Sequence, residues 1–189
     1  MAEELKATKQ VKPRRHENVA VFFLDLVGFT EYCNHRSPEE VVTELQKIIN
    51  AFEDIALKNR VDKTKTIGDA FMATAGLLTS EPNPVLNCVN CGLEMIEATQ
   101  AMGKSWDARV GIHIGPVVAG VVGKRQYLFD VWGDTVNTAS RIESHGEPGS
   151  VYLSWAAWQS VKDQCKGKSV GEVAIKGKGN LELFRLLNE

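Results

Sequence analysis

Two aspartates lie at the ends of strand-like segments, each beside a turn that contains glycine. Asp25 lies in the run FFLDLVGFT, and Asp69 directly follows Gly68 in KTIGDAFMA. Carboxylate oxygens are the ligands that Mg²⁺ prefers, and magnesium sites usually complete their coordination with substrate phosphates. The turn at residues 27–30 can offer successive backbone N–H groups to the same phosphates. Together the two segments predict a site for divalent metal beside a phosphate chain.

Either aspartate alone is more simply explained as a turn former, since aspartate is common before turns. A turn former is a poor explanation for Asp25, because the other residues from 19 to 26 are apolar and predict a buried strand. A carboxylate at the end of a buried strand must be paired or must bind metal. Two such residues, on strands that a split βαβ sheet sets side by side, favour a metal pair over two unrelated turns.

A third polar segment, DVWGDTVNTASR at residues 130–141, carries two side chains on one face of a predicted helix. Asn137 and Arg141 are four residues apart, so they point in the same direction. Arginine offers a planar, permanently charged fork for phosphate oxygens, and asparagine can orient a ribose or a nucleophilic oxygen. From spacing alone, a solvated helix face is an equally good interpretation.

Four further charged residues suit a nucleotide. Asp130 lies between two apolar residues, and Lys65 lies within the predicted strand at residues 61–67, where a buried and unpaired charge is costly. They provide one donor and one acceptor, which is what recognition of a base edge requires. Arg109 and Lys176 add positive charge that suits a polyphosphate, although a lysine in a glycine-rich hairpin is more often part of a soluble turn.

Composition indicates an ordinary globular domain. The chain has 189 residues, 43% of them hydrophobic, and a formal net charge of −2. A nucleic-acid partner is not expected, because such proteins carry a strongly basic face. No apolar run approaches the ~20 residues that cross a bilayer, so no membrane segment is expected in this chain. The four cysteines, without a secretory signal, predict reduced thiols in the cytosol, and the CxxC at Cys88 and Cys91 lacks the second pair of a zinc site.

The elements that must position these side chains follow from hydrophobic periodicity and capping signals. The pattern predicts strands at residues 19–26, 61–67, 70–77, 108–122, 128–132, 172–175 and 181–186. It predicts helices that begin at the capping box of Ser37, at Asn83, at Asp134 as an N-cap and at Ser154. The strand at 108–122 is either long or broken at Gly115-Pro116, because proline cannot donate to a ladder.

The order strand, helix, hairpin, helix, strand predicts the fold class. It is the order of a ferredoxin-like, split βαβ sheet with helices on one face, so the class is α+β. Residues 1–17 are polar and carry a basic cluster, and we interpret them as a linker or lead-in to a domain at residues 18–189.

The motifs also carry a family resemblance. From about Asn18 to Leu187 the chain resembles the catalytic domain of class III nucleotidyl cyclases, the family of animal adenylyl and guanylyl cyclases and many bacterial ones. FFLDLVGFT is similar to the family's first metal-and-phosphate loop, and KTIGDAFMA to its second metal hairpin. FDVWGDTVNTASR is similar to the segment that reads the base and the transition state, and IKGKGNLELFRL to the phosphate-contacting tail. The resemblance implies the class III cyclase fold, with residues 18–189 as the catalytic domain.

The resemblance implies a two-metal site. Asp25 and Asp69, with Leu26 as a further metal contact, would hold two divalent ions, Mg²⁺ or Mn²⁺. One ion would activate the ribose 3′-hydroxyl, and the other would hold the triphosphate. The phosphates would be cradled by Gly28, Phe29 and Thr30.

By the same resemblance, Asn137 would orient the ribose and Arg141 would neutralise charge that develops at the α-phosphate. Arg109 and Lys176 would contact the polyphosphate. In adenylyl cyclases of the family a Lys and an Asp read adenine, where guanylyl cyclases typically carry Glu and Cys. Lys65 and Asp130 therefore predict ATP as the substrate. The alternatives are the same enzyme acting on GTP and a non-catalytic nucleotide-binding module that only transmits a signal.

In this family the active site forms between two subunits. Asp25 and Asp69 would work with the base-reading and catalytic residues of the other chain, and this sequence carries both halves. The resemblance therefore implies a homodimer with two shared active sites. It also implies an upstream regulatory or sensor domain outside this sequence, and a cytoplasmic location, either free or as the cytosolic part of a membrane-tethered protein.

Overall fold

One mixed sheet of eight strands runs through the part of the chain that the computed structural model describes, residues 12–123 and 128–187. The strands are β1 (Arg14–Val27), β2 (Asp62–Ile67), β3 (Ala70–Ala75), β4 (Asp107–Val122), β5 (Leu128–Trp132), β6 (Ser150–Ser154), β7 (Gly167–Ile175) and β8 (Gly179–Leu186). The helices are α1 (Phe29–Asn34), α2 (Pro38–Lys58), α3 (Pro84–Ala101), α4 (Asp134–His145) and α5 (Trp155–Gln159). The strand order is β2-β3-β1-β4-β6-β8-β7, and β5 pairs with β4.

The first four strands and their helices confirm the split βαβ prediction. β1 lies between β3 and β4 and pairs antiparallel with both, and β2 and β3 form the predicted hairpin. Successive side chains of a strand point to opposite faces, and both faces of β1 are apolar. Phe22 and Leu24 pack on one face in the core that α2 and α3 cover, whereas Val21 and Phe23 pack on the other face in a cluster with Ala139 of α4.

The expectation of helices on one face was therefore wrong for α4. A strand that is apolar on both faces must bury both, and the second face of β1 needs its own cover. α4 supplies it, and Gly111 of β4 lets α4 come close. A Cβ added at Gly111 would lie 2.2 Å from the backbone nitrogen of Glu143.

Helix capping follows the sequence in three of four predicted places. Ser37 forms the predicted capping box with Glu40, Asn83 accepts from the backbone N–H of Leu86, and Ser154 caps α5. The prediction for α4 was wrong by one residue, because Gly133, at φ 140°, is the N-cap and Asp134 is the first helical residue. The carboxylate of Asp134 pairs instead with the Lys178 ammonium.

The long strand β4 is continuous through Pro116. The register of β1 shifts between His16 and Val19, opposite Val117 and Gly115, so the proline sits at a β-bulge where a ladder donor is not needed. β1 begins at Arg14, so the last residues of the predicted lead-in belong to the sheet. Residues 1–11 of that lead-in lie outside the described residues, and the extent of the domain stays a prediction.

The CxxC pair lies on the buried face of α3. Cys88 and Cys91 are fully buried free thiols. Burial raises the pKa of Cys91 to about 12 and that of Cys88 well above its ordinary value, so both are protonated packing residues. Within residues 12–123 and 128–187, no helix has the length and apolar character that crossing a bilayer requires.

Candidate active site

The two aspartates come together at one end of the sheet. β1 and β3 pair in a register that ends with Leu24 opposite Phe71. Asp25 is the next residue of β1, and Asp69 lies in the β2–β3 turn, two residues before Phe71. The side chain of Asp25 is 25% exposed. Burial raises the pKa of the Asp69 carboxyl, and the negative charge of Asp25 raises it further. Each carboxylate therefore feels the charge of the other, a repulsion that a shared cation would relieve.

The donor set fits a metal that is also bound by substrate. Leu26 has its side chain buried, so only its backbone can face a metal. In the described part of the chain, no group of three or more His, Cys, Asp or Glu side chains could hold a metal ion. Two carboxylates alone leave coordination positions for phosphate and water oxygens, which is the usual arrangement for Mg²⁺ beside a nucleotide.

The loop after Asp25 presents backbone groups. Gly28 has φ 88°, and a Cβ there would lie 2.8 Å from the carbonyl oxygen of Ser105, so only glycine fits. The ring of Phe29 packs on Trp106 with ring centroids 5.1 Å apart. Its side chain is therefore part of the core, and the group it can offer to a phosphate is its N–H. Thr30 is exposed and follows Phe29 in the first turn of α1, where backbone N–H groups lack helical partners.

Arg109 joins α4 to the end of β1 that carries Asp25, which is the predicted metal end of the sheet. Its Nη2 donates to Asp25 Oδ2 at 2.9 Å, and its Nε donates to Glu143 Oε1 at 2.6 Å. The Glu143 side chain is only 8% exposed, and burial is the main cause that raises the pKa of this carboxyl. Arg109, the residue predicted to contact a polyphosphate, is thus bonded to two carboxylates of its own chain.

Lys65 and Asp130, 65 residues apart in sequence, meet as an ion pair. Lys65 Nζ donates to Asp130 Oδ2 at 2.6 Å, and Asp130 Oδ1 accepts from the backbone N–H of Val131. The ion pair is only partly buried, with side-chain exposures of 39% and 22%. The predicted donor and acceptor thus lie side by side at the surface.

A β-bulge in β2 sets the direction of Lys65. The register shifts between Lys63, opposite Ala73, and Lys65, opposite Met72. Residues two apart in a regular strand share a face. Here Lys63 and Lys65 lie on opposite faces. The ammonium of Lys63 lies over the Phe71 ring in the core under α2, whereas Lys65 pairs with Met72, whose side chain lies on the α4 face. The extra residue is what lets Lys65 reach β5.

The outer side of α4 and the β7–β8 turn form the third group. Asn137 is exposed, and Arg141 donates through Nη1 to the backbone carbonyl of Lys176. The side chain of Lys176 is exposed. The lysine of this turn that forms an ion pair with α4 is Lys178, whose ammonium pairs with Asp134; Lys178 was not among the predicted site residues.

Within one chain, Asn137 and Arg141 do not face Asp25 and Asp69. Glu143 faces the sheet and Arg109, and Arg141, two residues earlier, lies about 200° around the helix from it. Asn137 shares the outer face with Arg141. The helix itself therefore stands between these two side chains and the Asp25–Asp69 end.

Sequence reasoning missed Glu143. A signal was present, since Val136, Ala139 and Glu143 follow the three-and-four spacing of a buried stripe, and a carboxylate in such a stripe requires a partner.

Comparisons with known proteins identify the family of the chain. Residues 11–188 match the family model of the adenylate and guanylate cyclase catalytic domain. The receptor-type guanylate cyclase gcy-13 of Caenorhabditis elegans is 39% identical over 99% of the chain, and the germination-specific adenylate cyclase of Dictyostelium discoideum is 37% identical over 98% of it. The chain spans only 19% and 23% of those two proteins.

A solved structure gives the same fold. The guanylate cyclase domain of RhGC from Catenaria anguillulae, in complex with GTP, superposes with a TM-score of 0.89 at 32% identity, covering 93% of this chain and 99% of that one. The relatives thus include cyclases of both nucleotide types.

Proposed function

The chain belongs to the adenylate and guanylate cyclase catalytic domain family, and on that premise we propose that it converts ATP into 3′,5′-cyclic AMP and pyrophosphate. The observation that carries the choice of ATP is the Lys65–Asp130 pair, whose charged atoms lie 2.6 Å apart. The family membership supports cyclisation of a nucleotide, and this pair supports adenine as its base.

Adenine matches the pair group by group. Its N1 accepts a hydrogen bond and its N6 amino group donates one, so N1 would face Lys65 and N6 would face Asp130. Guanine carries a donor at N1 and an acceptor at O6, the reverse order. A base that leaves polar groups of a site unpaired is rejected by orders of magnitude. The β2 bulge, which directs Lys65 toward β5, and the hydrogen bond from the Val131 N–H to Asp130 support this order of donor and acceptor.

The catalytic roles that we propose are those that the family resemblance implies, and the chemistry of the side chains supports them. Two divalent ions at Asp25 and Asp69, Mg²⁺ or Mn²⁺, would supply activation of the 3′-hydroxyl and neutralisation of the triphosphate. Gly28, Phe29 and Thr30 would hold phosphate oxygens through backbone N–H groups. Arg141 would stabilise the charge that develops at the α-phosphate, and its bond to the Lys176 carbonyl supports its orientation. Asn137 would orient the ribose.

We assign the complete site to a homodimer. Asn137 and Arg141 lie on the far side of α4 from Asp25 and Asp69 of the same chain, so a second copy must bring its outer α4 face to the metal end. An isologous two-fold dimer would hold two such sites. Lys65, Asp130 and Lys176 would join each site from the same copy as Asn137 and Arg141.

GTP is the second candidate substrate, favoured by the guanylate cyclases among the relatives. A non-catalytic signalling module is the third candidate, and it is disfavoured because every side chain that the chemistry needs is present. Since these two relatives are four to five times longer than the region they share with this chain, we also propose that a regulatory domain acts on it.

The test is cyclic nucleotide formation by the purified chain over a range of protein concentrations, with ATP or GTP and with Mg²⁺ or Mn²⁺. We expect cyclic AMP, with specific activity that rises with protein concentration because the site needs two copies. Cyclic GMP as the main product would overturn the reading of Lys65 and Asp130. Metal-dependent ATP binding without product at any concentration would favour the signalling module.

The double variant Lys65→Glu/Asp130→Cys is expected to shift preference toward GTP. The ratio of kcat/KM for ATP to that for GTP should fall by about a hundredfold or more, because the donor and acceptor positions are reversed. Lys63→Gln is the matched control, since Lys63 lies two residues away on the opposite face of β2. An unchanged ATP preference in the double variant would show that specificity lies elsewhere.

A further inference from the structure

We propose that Glu143 is a positioning residue that holds Arg109 as an exchangeable counter-ion, on Asp25 before metal binds and on the nucleotide polyphosphate afterwards. This inference rests on the proposed function, because it takes the polyphosphate of a bound nucleotide as the second anion that Arg109 contacts.

The contacts separate the two ends of the guanidinium. Nε is bonded to Glu143 and Nη2 to Asp25, at 2.6 and 2.9 Å. Because different nitrogens carry the two bonds, the guanidinium can release Asp25 and turn Nη2 toward another anion while Nε stays on Glu143. Arginine suits this role because its donors form a rigid fork.

Burial decides which bond is kept. The Glu143 side chain is 8% exposed and that of Asp25 is 25% exposed. A buried carboxylate that loses its partner is strongly destabilising, so Glu143 retains Arg109. Asp25 lies at the open end of the sheet beside Asp69, where a divalent cation can replace the guanidinium.

The fold is built to bring Glu143 to Arg109. Gly111 leaves no side chain between β4 and α4, since a Cβ there would meet the Glu143 backbone nitrogen at 2.2 Å and its Cβ at 2.7 Å. The Ser144 hydroxyl lies 3.3 Å from Glu143 Oε2 and 3.1 Å from the Ser140 carbonyl oxygen, so it can donate to either. The close approach of the two backbones at Gly111 is what holds the carboxylate beside Arg109, as a pivot requires.

Two consequences follow for binding. In the metal-free chain Arg109 competes with a cation for Asp25. Without the charge of Glu143, Arg109 would bind Asp25 more tightly and would be less well aimed at a polyphosphate. Loss of the Glu143 charge should therefore weaken both metal and nucleotide binding, and further loss of Arg109 should restore metal binding alone.

The test uses the full chain and two measurements that need no turnover. Mn²⁺ affinity without nucleotide is measured by electron paramagnetic resonance of the free ion, and nucleotide affinity is measured with 3′-deoxy-ATP, which cannot cyclise. For Glu143→Gln we expect about a tenfold loss of 3′-deoxy-ATP affinity, the usual effect of removing a residue that orients a ligand-binding group. We also expect Mn²⁺ affinity to fall.

The double variant Arg109→Gln/Glu143→Gln separates positioning from simple loosening. It has the net charge of the natural chain and leaves no buried carboxylate unpaired. We expect its Mn²⁺ affinity to return to the natural value or above, while 3′-deoxy-ATP binding stays as weak as in Glu143→Gln. Glu147→Gln is the charge-matched control for the single variant Glu143→Gln, because Glu147 is an exposed carboxylate that pairs with Arg185. The Glu147→Gln chain should bind both ligands normally.

Natural Mn²⁺ and 3′-deoxy-ATP affinities in Glu143→Gln would overturn the proposal, and so would a double variant with still weaker Mn²⁺ binding. These outcomes can be told apart from a failure of the proposed function. A chain that makes no cyclic AMP but shows the restoration of Mn²⁺ affinity would overturn the activity and keep the role of Glu143.

Discussion

Asp25→Asn is expected to abolish cyclic nucleotide formation, with a loss of about a thousandfold or more, while the fold stays intact. Asparagine keeps the shape of the side chain but removes the charge that a divalent cation requires, and with it the electrostatic stabilisation of the transition state. The fold should tolerate the change because Arg109 retains Glu143 as its partner. The measurements are turnover with Mg²⁺ and Mn²⁺, and the melting temperature of the variant.

The control for this prediction is Asp163→Asn. Asp163 is exposed in the segment between α5 and β7, outside all three groups of site residues. It should leave turnover and melting temperature unchanged. Retained activity in Asp25→Asn would contradict the two-metal assignment, and a large drop in its melting temperature would mean that the lost activity reports misfolding instead.

Local sequence was enough to predict most of the elements near the metal end. The apolar run of β1, the hairpin around Gly68-Asp69 and the cap of α2 each carry their own signal within a few residues. The strand β6 was missed because its five buried residues, SVYLS, show no alternation, and its parallel pairing with β4 is a tertiary contact. The six-residue helix α1 was missed because it begins at the glycine turn that the metal motif already explained.

The charged network depended on topology. Arg109 meets Asp25, 84 residues away, and Glu143, 34 residues away, only because β4 lies beside β1 and α4 crosses the same face. Propensity and periodicity do not encode which face a helix covers. For the same reason the sequence pointed to Lys65 and Asp130 as charged residues within predicted strands, but the bulge that turns Lys65 toward β5 emerged only from strand register.

Mixing two inactive variants is expected to restore activity, which tests the shared site directly. Asp25→Asn damages the metal half of the site and Arg141→Ala damages the half on the outer face of α4. If each site takes one half from each copy, a mixed dimer combines both lesions in one site and leaves its other site intact. With free exchange, half of the dimers are mixed, so the equimolar mixture should recover about a quarter of natural activity.

The choice of partners makes this result specific. Asp25→Asn mixed with Asp69→Asn should stay inactive, because both changes damage the same half and each site of the mixed dimer then contains one of them. The measurement is cyclic AMP formation after co-incubation at a concentration where the natural chain is fully active. Recovery in both mixtures would mean that the metal half is not supplied by one chain. Recovery in neither would mean that each site takes both halves from one chain, contrary to the geometry of α4, which aims Asn137 and Arg141 away from their own Asp25.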